Sequence, residues 1–369
     1  MARPLRPARG CHGWKKGLEA IPGKAAFAEC ARLVGGICVT MSTKLASLVQ
    51  DLSDFSGIRR KEAIGRILRS LEGAWDFGRT VIGPGDDAAA LRMEGRDRYL
   101  LVAADGILPS LIAMDPYRAG RSAVLVNAND IYAMGGRPLA MVNVLGGVSL
   151  EQQEEICRGM REECRRLRVP MVGGHVVPEG NGPFLAVSVV GEARSLLSDR
   201  KAEAGQEVVL ALDLRGERWS PDLLNWDSHG RKDSETVIAD LEVLCSLGEE
   251  GLGVAAKDVS NAGIVGTLAM LLEQAGLGAK IHLDRIVVPA GFSLAEWLKV
   301  YPSYGFLVVC KRVHLAATTK RFADRGIWAE GIGSTDASRN LCLCLGDEEA
   351  LLLDFTKRGI LCPRYGLQM

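Results

Sequence analysis

The residues best suited to chemistry in this chain are aspartates at the ends of apolar runs and beside glycines. Asp86 and Asp87 follow the turn Gly83-Pro84-Gly85, and Asp105 closes the run Tyr99–Ala103 just before Gly106. Asp130 lies inside Val126-Asn127-Ala128-Asn129-Asp130-Ile131, and Asp258 opens Lys257-Asp258-Val259-Ser260-Asn261-Ala262-Gly263. Acids in turns commonly cap helices or bind loop backbone, and each of these taken alone fits that role. Asp130 fits it badly. A carboxylate in the middle of an Ala/Val/Leu-rich helix is expected to be buried, and a buried carboxylate needs a partner. A divalent cation is one such partner. Magnesium takes hard oxygen ligands and shares its shell with phosphates and water. No GxxxxGK[ST] loop and no protein-kinase motif set is present, so any nucleotide site has to be built another way.

The elements that would position these acids can be read from periodicity. Residues 42–72 have a helical apolar pattern, interrupted at Phe55-Ser56-Gly57. Asp115-Pro116 is a helix start, a capping acid followed by proline, and Gly135-Gly136 is the matching stop. A charged amphipathic helix is predicted over 151–167, ended by Pro170, with Met171 to His175 leading into a loop. Strands are predicted at 99–103, 139–145, 184–190, 207–212, 305–310, 327–333 and 341–345, and helices at 235–247 and from 257 to about 272. This alternation indicates an α/β or α+β fold. Residues 215–236, rich in Trp, Asp, Ser and Arg, read as a long functional loop.

The bulk numbers agree. A length of 369 residues suggests two domains, here 41–197 and 198–350, with 351–369 as a tail. Lysine plus arginine and aspartate plus glutamate are each 45, so charge gives no support for nucleic-acid binding. No apolar run is long enough to span a bilayer. None of the 10 cysteines forms a CxxC pair, which points to reduced thiols and a cytoplasmic protein. Residues 1–40 carry seven Lys/Arg and two acids without a long apolar segment, and read as a basic extension apart from the fold.

The order Gly85-Asp86-Asp87-Ala88-Ala89, Ala104-Asp105-Gly106, Val126 to Pro138, Val172-Gly173-Gly174 and Lys257-Asp258-Val259-Ser260 resembles the AIR-synthase-related superfamily over roughly residues 45–350. That superfamily includes AIR synthase, thiamine-monophosphate kinase, selenophosphate synthetase and HypE. The resemblance implies a two-domain PurM-like fold, a homodimer formed through the N-terminal domain, and ATP with Mg2+ in the groove between domains. By motif it implies that Asp87, Asp105, Asp130 and Asp258 hold the metal and that Asp258 also serves catalysis. Gly85, Asp86, Asn127, Gly174, Ser260 and Asn261 would then contact the nucleotide.

Two positions depart from the resemblance. His175 stands where the superfamily has an acid after Gly-Gly, and Asn261 where thiamine-monophosphate kinase has a second acid. An imidazole is a poorer magnesium ligand than a carboxylate, but it can act as an acid or base near neutral pH, or simply cap the loop. Cys362-Pro363-Arg364 does not match the Pro-Arg-Ile-Cys tail of HypE. The expected function is ATP- and Mg2+-dependent activation of a small-molecule substrate by the γ-phosphoryl group. Alternatives are AIR synthase (a phosphoribosylformylglycinamidine cyclo-ligase), thiamine-monophosphate kinase, and a non-catalytic nucleotide-binding maturation partner.

Overall fold

The computed structural model describes residues 43–177, 182–220 and 223–361. The basic extension and Cys362 lie outside the described residues. Three helices come first: α1 (Thr43–Ser53), α2 (Ser56–Arg59) and α3 (Glu62–Ser70). The first sheet contains β1 (Thr80–Ile82), β2 (Ala89–Arg92), β3 (Tyr99–Gly106), β4 (Gly136–Gly146), β5 (Met171–Val177) and β6 (Phe184–Ala193), in the order β1-β2-β3-β6-β4-β5. Only the β4–β5 pair in it is parallel. Helices α4 (Pro109–Met114), α5 (Pro116–Ala133) and α6 (Leu150–Leu167) accompany this sheet.

Local chemistry sets the helix ends. Asp115 accepts a hydrogen bond from the Arg118 backbone N–H at 2.9 Å, and Pro116 takes the first helical position of α5. Ser149 and Gln152 form a reciprocal capping box at the start of α6. The two helices touch through glycine. A Cβ on Gly120 would lie 2.1 Å from the Ile156 carbonyl oxygen, and one on Gly159 would lie 2.0 Å from that of Tyr117. The stretch from Met171 through His175, expected to lead into a loop, is instead the edge strand β5. Its valines and its parallel register with β4 explain the difference.

The second half contains β7 (Glu207–Leu212), β8 (Glu217–Arg218), β9 (Asn225–Asp227), α7 (Ser234–Glu249), β10 (Ala255–Asp258), α8 (Gly263–Ala275), β11 (Gly278–His282), α9 (Leu294–Trp297), β12 (Tyr301–Pro302), β13 (Gly305–Cys310), α10 (Leu315–Ala323), β14 (Trp328–Asp336), β15 (Asn340–Leu345) and β16 (Glu348–Asp354). A seven-stranded sheet runs β10-β13-β7-β14-β11-β15-β16, and β12-β9-β8 form a small separate sheet. Strand β16 carries the large sheet past residue 350, into what the sequence reading assigned to a tail. The expected loop over 215–236 is partly strand, because β8 and β9 pair there and β12 adds alongside.

Alternation along β7 shows how the two halves join. Val209 and Ala211 enter one core with α5, α7 and the first sheet, while Val208, Leu210 and Leu212 enter a second core with α1 and α8. The seven-stranded sheet is thus covered on both faces, as its uninterrupted apolar strands require. One hydrophobic core therefore runs continuously across the junction at residues 197–198.

The glycine contact between α5 and α6 makes a direct test. Gly120→Ala should cost about 1–3 kcal/mol in chemical denaturation, because a methyl group there meets helix backbone that cannot rotate away. The same change at Gly331, where a Cβ would meet only the movable Leu315 side chain, at 3.2 Å, makes a useful comparison.

Candidate functional site

Asp87 lies in the turn after β1, Asp105 near the end of β3, Asp130 in α5 and Asp258 at the end of β10. The fold brings these distant elements together at the seam between the two halves. One carboxylate oxygen from each of Asp87, Asp130 and Asp258 falls within 4.8 Å of the others. Asp87 also clamps the seam: its Oδ2 accepts from the Asp258 backbone N–H at 3.0 Å, and its Oδ1 lies 2.7 Å from the Lys257 ammonium. Asp105 stands at the open side of this group, with its surface still in contact with solvent.

The electrostatics are unfavourable without a further cation. Burial pushes the Asp130 carboxyl well above the usual carboxylate range, and the charges of Asp105, Asp258 and Asp87 push it further. Burial does the same to Asp258, reinforced by Asp87 and Asp105 and eased by Lys257 and Lys61. Asp87 and Asp105 are raised too, in each case mainly by burial. Carboxylates this close resist joint ionisation unless positive charge joins them.

Some positive charge is built in. Lys257 is buried beneath the group and faces Asp86 at 3.6 Å, Asp87 at 2.7 Å and Asp199 at 3.3 Å. Burial alone would lower its pKa, but Asp199, Asp87 and Asp86 outweigh that and raise it. Asp86 accepts from the Ser198 hydroxyl at 2.7 Å and from the Asp199 backbone N–H at 3.2 Å, so it ties the turn to the domain junction. Gly85 permits this turn because its φ is +116°. The oxygen-only donor set at Asp87, Asp130 and Asp258 suits a hard divalent cation such as Mg2+.

Other expected residues divide into two groups. Ser260 and Asn261 line the cleft that opens from Asp105 and Asp258. Asn127 is fully buried in α5, donates to the Ala123 carbonyl at 2.8 Å, and does not line the cleft. Gly174 and His175 are exposed on β5. His175 pairs with Val144, which shares a sheet face with Ala186 and Gly106, whereas Asp105 pairs with buried Val187 on the opposite face. Within one chain His175 therefore points away from the carboxylates.

Sequence reading missed several residues here. Lys257 was visible only as the neighbour of Asp258, and Asp199 sat in a polar stretch read as a boundary. Lys61, just before α3, lies close enough to influence Asp105 and Asp258. The far wall of the cleft carries a second cluster. His229 sits 3.1 Å from Glu163 and 3.2 Å from Asp227, and Arg121 lies 2.8 Å from Glu163. Arg166 donates to the carbonyls of His229 and Lys232 at 2.9 and 2.7 Å. These contacts fasten the segment after β9 to α5 and α6.

The fold is a two-domain α/β one with clustered carboxylates at the domain seam. The chain belongs to the AIR synthase related protein family: the N-terminal domain profile matches residues 85–193 and the C-terminal one 211–342. It is 38% identical over 316 residues to the uncharacterised Synechocystis protein sll0787, covering 86% of this chain and 98% of that one. Among solved structures, Thermotoga maritima PurL complexed with ADP superposes at TM-score 0.69 and 17% identity, covering 87% of this chain and 53% of that one. AaThiL complexed with AMPPCP and TMP superposes at TM-score 0.57 and 17% identity, covering 78% and 95%. At these identities the superpositions establish the fold, and the chain spans about half of PurL. Among the described residues no helix is long and apolar enough to cross a membrane.

Two outcomes test the electrostatics. Asp130→Asn should stabilise the metal-free protein by about 1–3 kcal/mol, because it removes a carboxylate whose burial is not repaid by a partner. The same variant should lose the rise in melting temperature that Mg2+ gives the wild type; an equal Mg2+ response would count against the site. His229 makes stability depend on pH. Burial would lower the imidazole's pKa, but bonds to Asp227 and Glu163 raise it above its ordinary 6.5. Its stabilising contribution is thus full below that value and is lost as pH rises through the folded-state value. Stability should fall across that alkaline-side window in the wild type, and fall less in His229→Gln.

Proposed function

We propose that the protein is a Mg2+-dependent enzyme that uses the γ-phosphoryl group of ATP to activate a small-molecule substrate. The convergence of Asp87, Asp130 and Asp258 at the seam, with Asp105 on its open side, carries this reading. In it those four residues hold the metal. When bound, Mg2+ would offset phosphate charge and help to align the γ-phosphoryl group, the principal needs of phosphoryl transfer. Asp87 orients the Asp258 backbone through its hydrogen bond, and Lys257 fixes the Asp87 carboxylate. Ser260 and Asn261 contribute the cleft wall beside Asp258, where the nucleotide would contact them. Gly85 and Asp86 support the nucleotide indirectly, by holding the turn that presents Asp87.

The reading includes a homodimer. Val102, Val142, Val144 and Val190 are exposed apolar side chains that register pairing places on one face of the first sheet. An apolar sheet face of this kind calls for a cover. His175 shares that face, so a catalytic or substrate-binding part for it would arise against a second copy of the chain. Gly174 belongs to the same edge strand.

The test is ADP release from Mg2+-ATP in the presence of candidate acceptors, among them TMP and FGAR, which are bound in solved neighbours. Turnover with one acceptor is expected, reduced at least about 100-fold in Asp258→Asn. Tight ATP binding with no turnover for any acceptor would instead favour a nucleotide-binding partner.

A further inference from the structure

The cleft extends well beyond the carboxylates. Arg118 and Asp130 lie on the same helix, 12 residues apart, which is about 18 Å of rise along α5. The remote end is lined by Arg118, Ser122, Trp219 and Asn225, while Asn129 and Asn261 lie nearer Asp258. Apolar side chains from Leu111 and Leu125 line the cleft between.

Two features of the cleft beyond the carboxylates ask for a ligand. The first is a set of unpartnered amide oxygens. The Oδ1 atoms of Asn129, Asn225 and Asn261 are buried without a hydrogen-bond partner. Asn129 is the most telling, because it is 2% exposed and its Nδ2 donates to the Ser303 carbonyl at 2.9 Å. That bond fixes the amide's orientation and leaves its oxygen as the open acceptor. Buried acceptors without partners cost stability and recur where a ligand completes them.

The second feature is the guanidinium of Arg118. It lies 4.5 Å over the Trp219 ring, 3.4 Å from Asp227 and 3.6 Å from Asp115. Both carboxylate contacts are longer than a good charge-assisted hydrogen bond of about 2.7–2.9 Å. Its neighbour Arg121 is instead engaged by Glu163 at 2.8 Å. A planar fork braced against an indole and loosely paired is suited to bidentate capture of an anion. Its distance from the metal-binding carboxylates keeps such an anion clear of their repulsion, and the carboxylates it must compete with are Asp227 and Asp115.

We propose that the cleft beyond the carboxylates is the acceptor subsite, where Arg118 and Trp219 at the remote end hold a carboxylate or phosphate of the substrate while Asn129 and Asn225 accept from its N–H or O–H groups. The proposal rests on the reading of the seam as the ATP and Mg2+ site, since it assigns the rest of the same cleft to the second substrate. The body of the molecule lies against Leu111 and Leu125, and its reacting atom points towards Asp258. Ligand class follows from the lining: a small, partly apolar molecule with one anionic end and several donors.

Calorimetric titration with inorganic phosphate and, separately, with acetate tests it, using wild type, Arg118→Met, Arg118→Lys and Asp130→Asn. Saturable binding of one anion to wild type and to Asp130→Asn is expected. Phosphate alone would mark a phosphate ester as substrate, and acetate alone a carboxylic acid. Arg118→Met should weaken that binding at least about tenfold, with Arg118→Lys in between, while Mg2+-ATP affinity stays within about twofold. Three results overturn the proposal: neither anion binds, binding is indifferent to Arg118→Met, or Arg118→Met weakens Mg2+-ATP as much as the anion. A failure of the metal reading would look different, as anion binding in Asp130→Asn with no Mg2+-ATP binding to the wild type.

Discussion

The structure is organised around like charges held close together at the seam between two halves of one chain. Asp87, Asp130 and Asp258 approach one another within 4.8 Å, and the protein's own cations, Lys257 and Lys61, offset them only in part. Folding tolerates this because the backbone elements that carry the acids are fixed by other forces. Helix α5 is buried along most of its length, and β10 is locked by its antiparallel pairing with β13. The cost of crowding carboxylates is met by a core that runs through both halves. Such an arrangement stores an unfavourable charge density that a divalent cation would relieve.

The two halves are joined by polar contacts as well as by the core. Asp86 reaches Ser198 and Asp199, Arg137 reaches Glu242 and Glu249, and Arg166 holds the carbonyls after β9. Lys232 pairs with Asp240 at 2.7 Å and also contacts Asp213 and Tyr304, which anchors the far end of the same segment. The cleft walls are therefore held from both sides. A cleft anchored in this way suits the positioning that the proposed phosphoryl transfer would need.

Much of this was legible in the sequence, for identifiable reasons. Helix α5 carried a capping acid, a proline and a glycine stop, and the structure ends it where those signals do. Strands β7 and β13 were unbroken apolar runs, as strands buried on both faces must be. Asp130 stood out as an acid among apolar neighbours. What remained illegible depends on the third dimension. Nothing local marks Asp199 as the partner of Lys257, 58 residues away. His229, Glu163 and Arg121 form one network from three separate segments, and no spacing rule links them. The valines of β5 also suited a strand, but glycines at 173 and 174 masked it. His175 shares the motif position with the family's acid, yet sheet register turns it to the other face.

The proposed function rests on one central claim, that divalent cation and nucleotide occupy the seam together. Titration of the protein with AMPPCP by calorimetry, with Mg2+ and again with EDTA, addresses it most directly. The account predicts saturable binding that requires Mg2+ and disappears in Asp87→Asn. Equal affinity in EDTA, or full Mg2+-dependent binding in that variant, would contradict it.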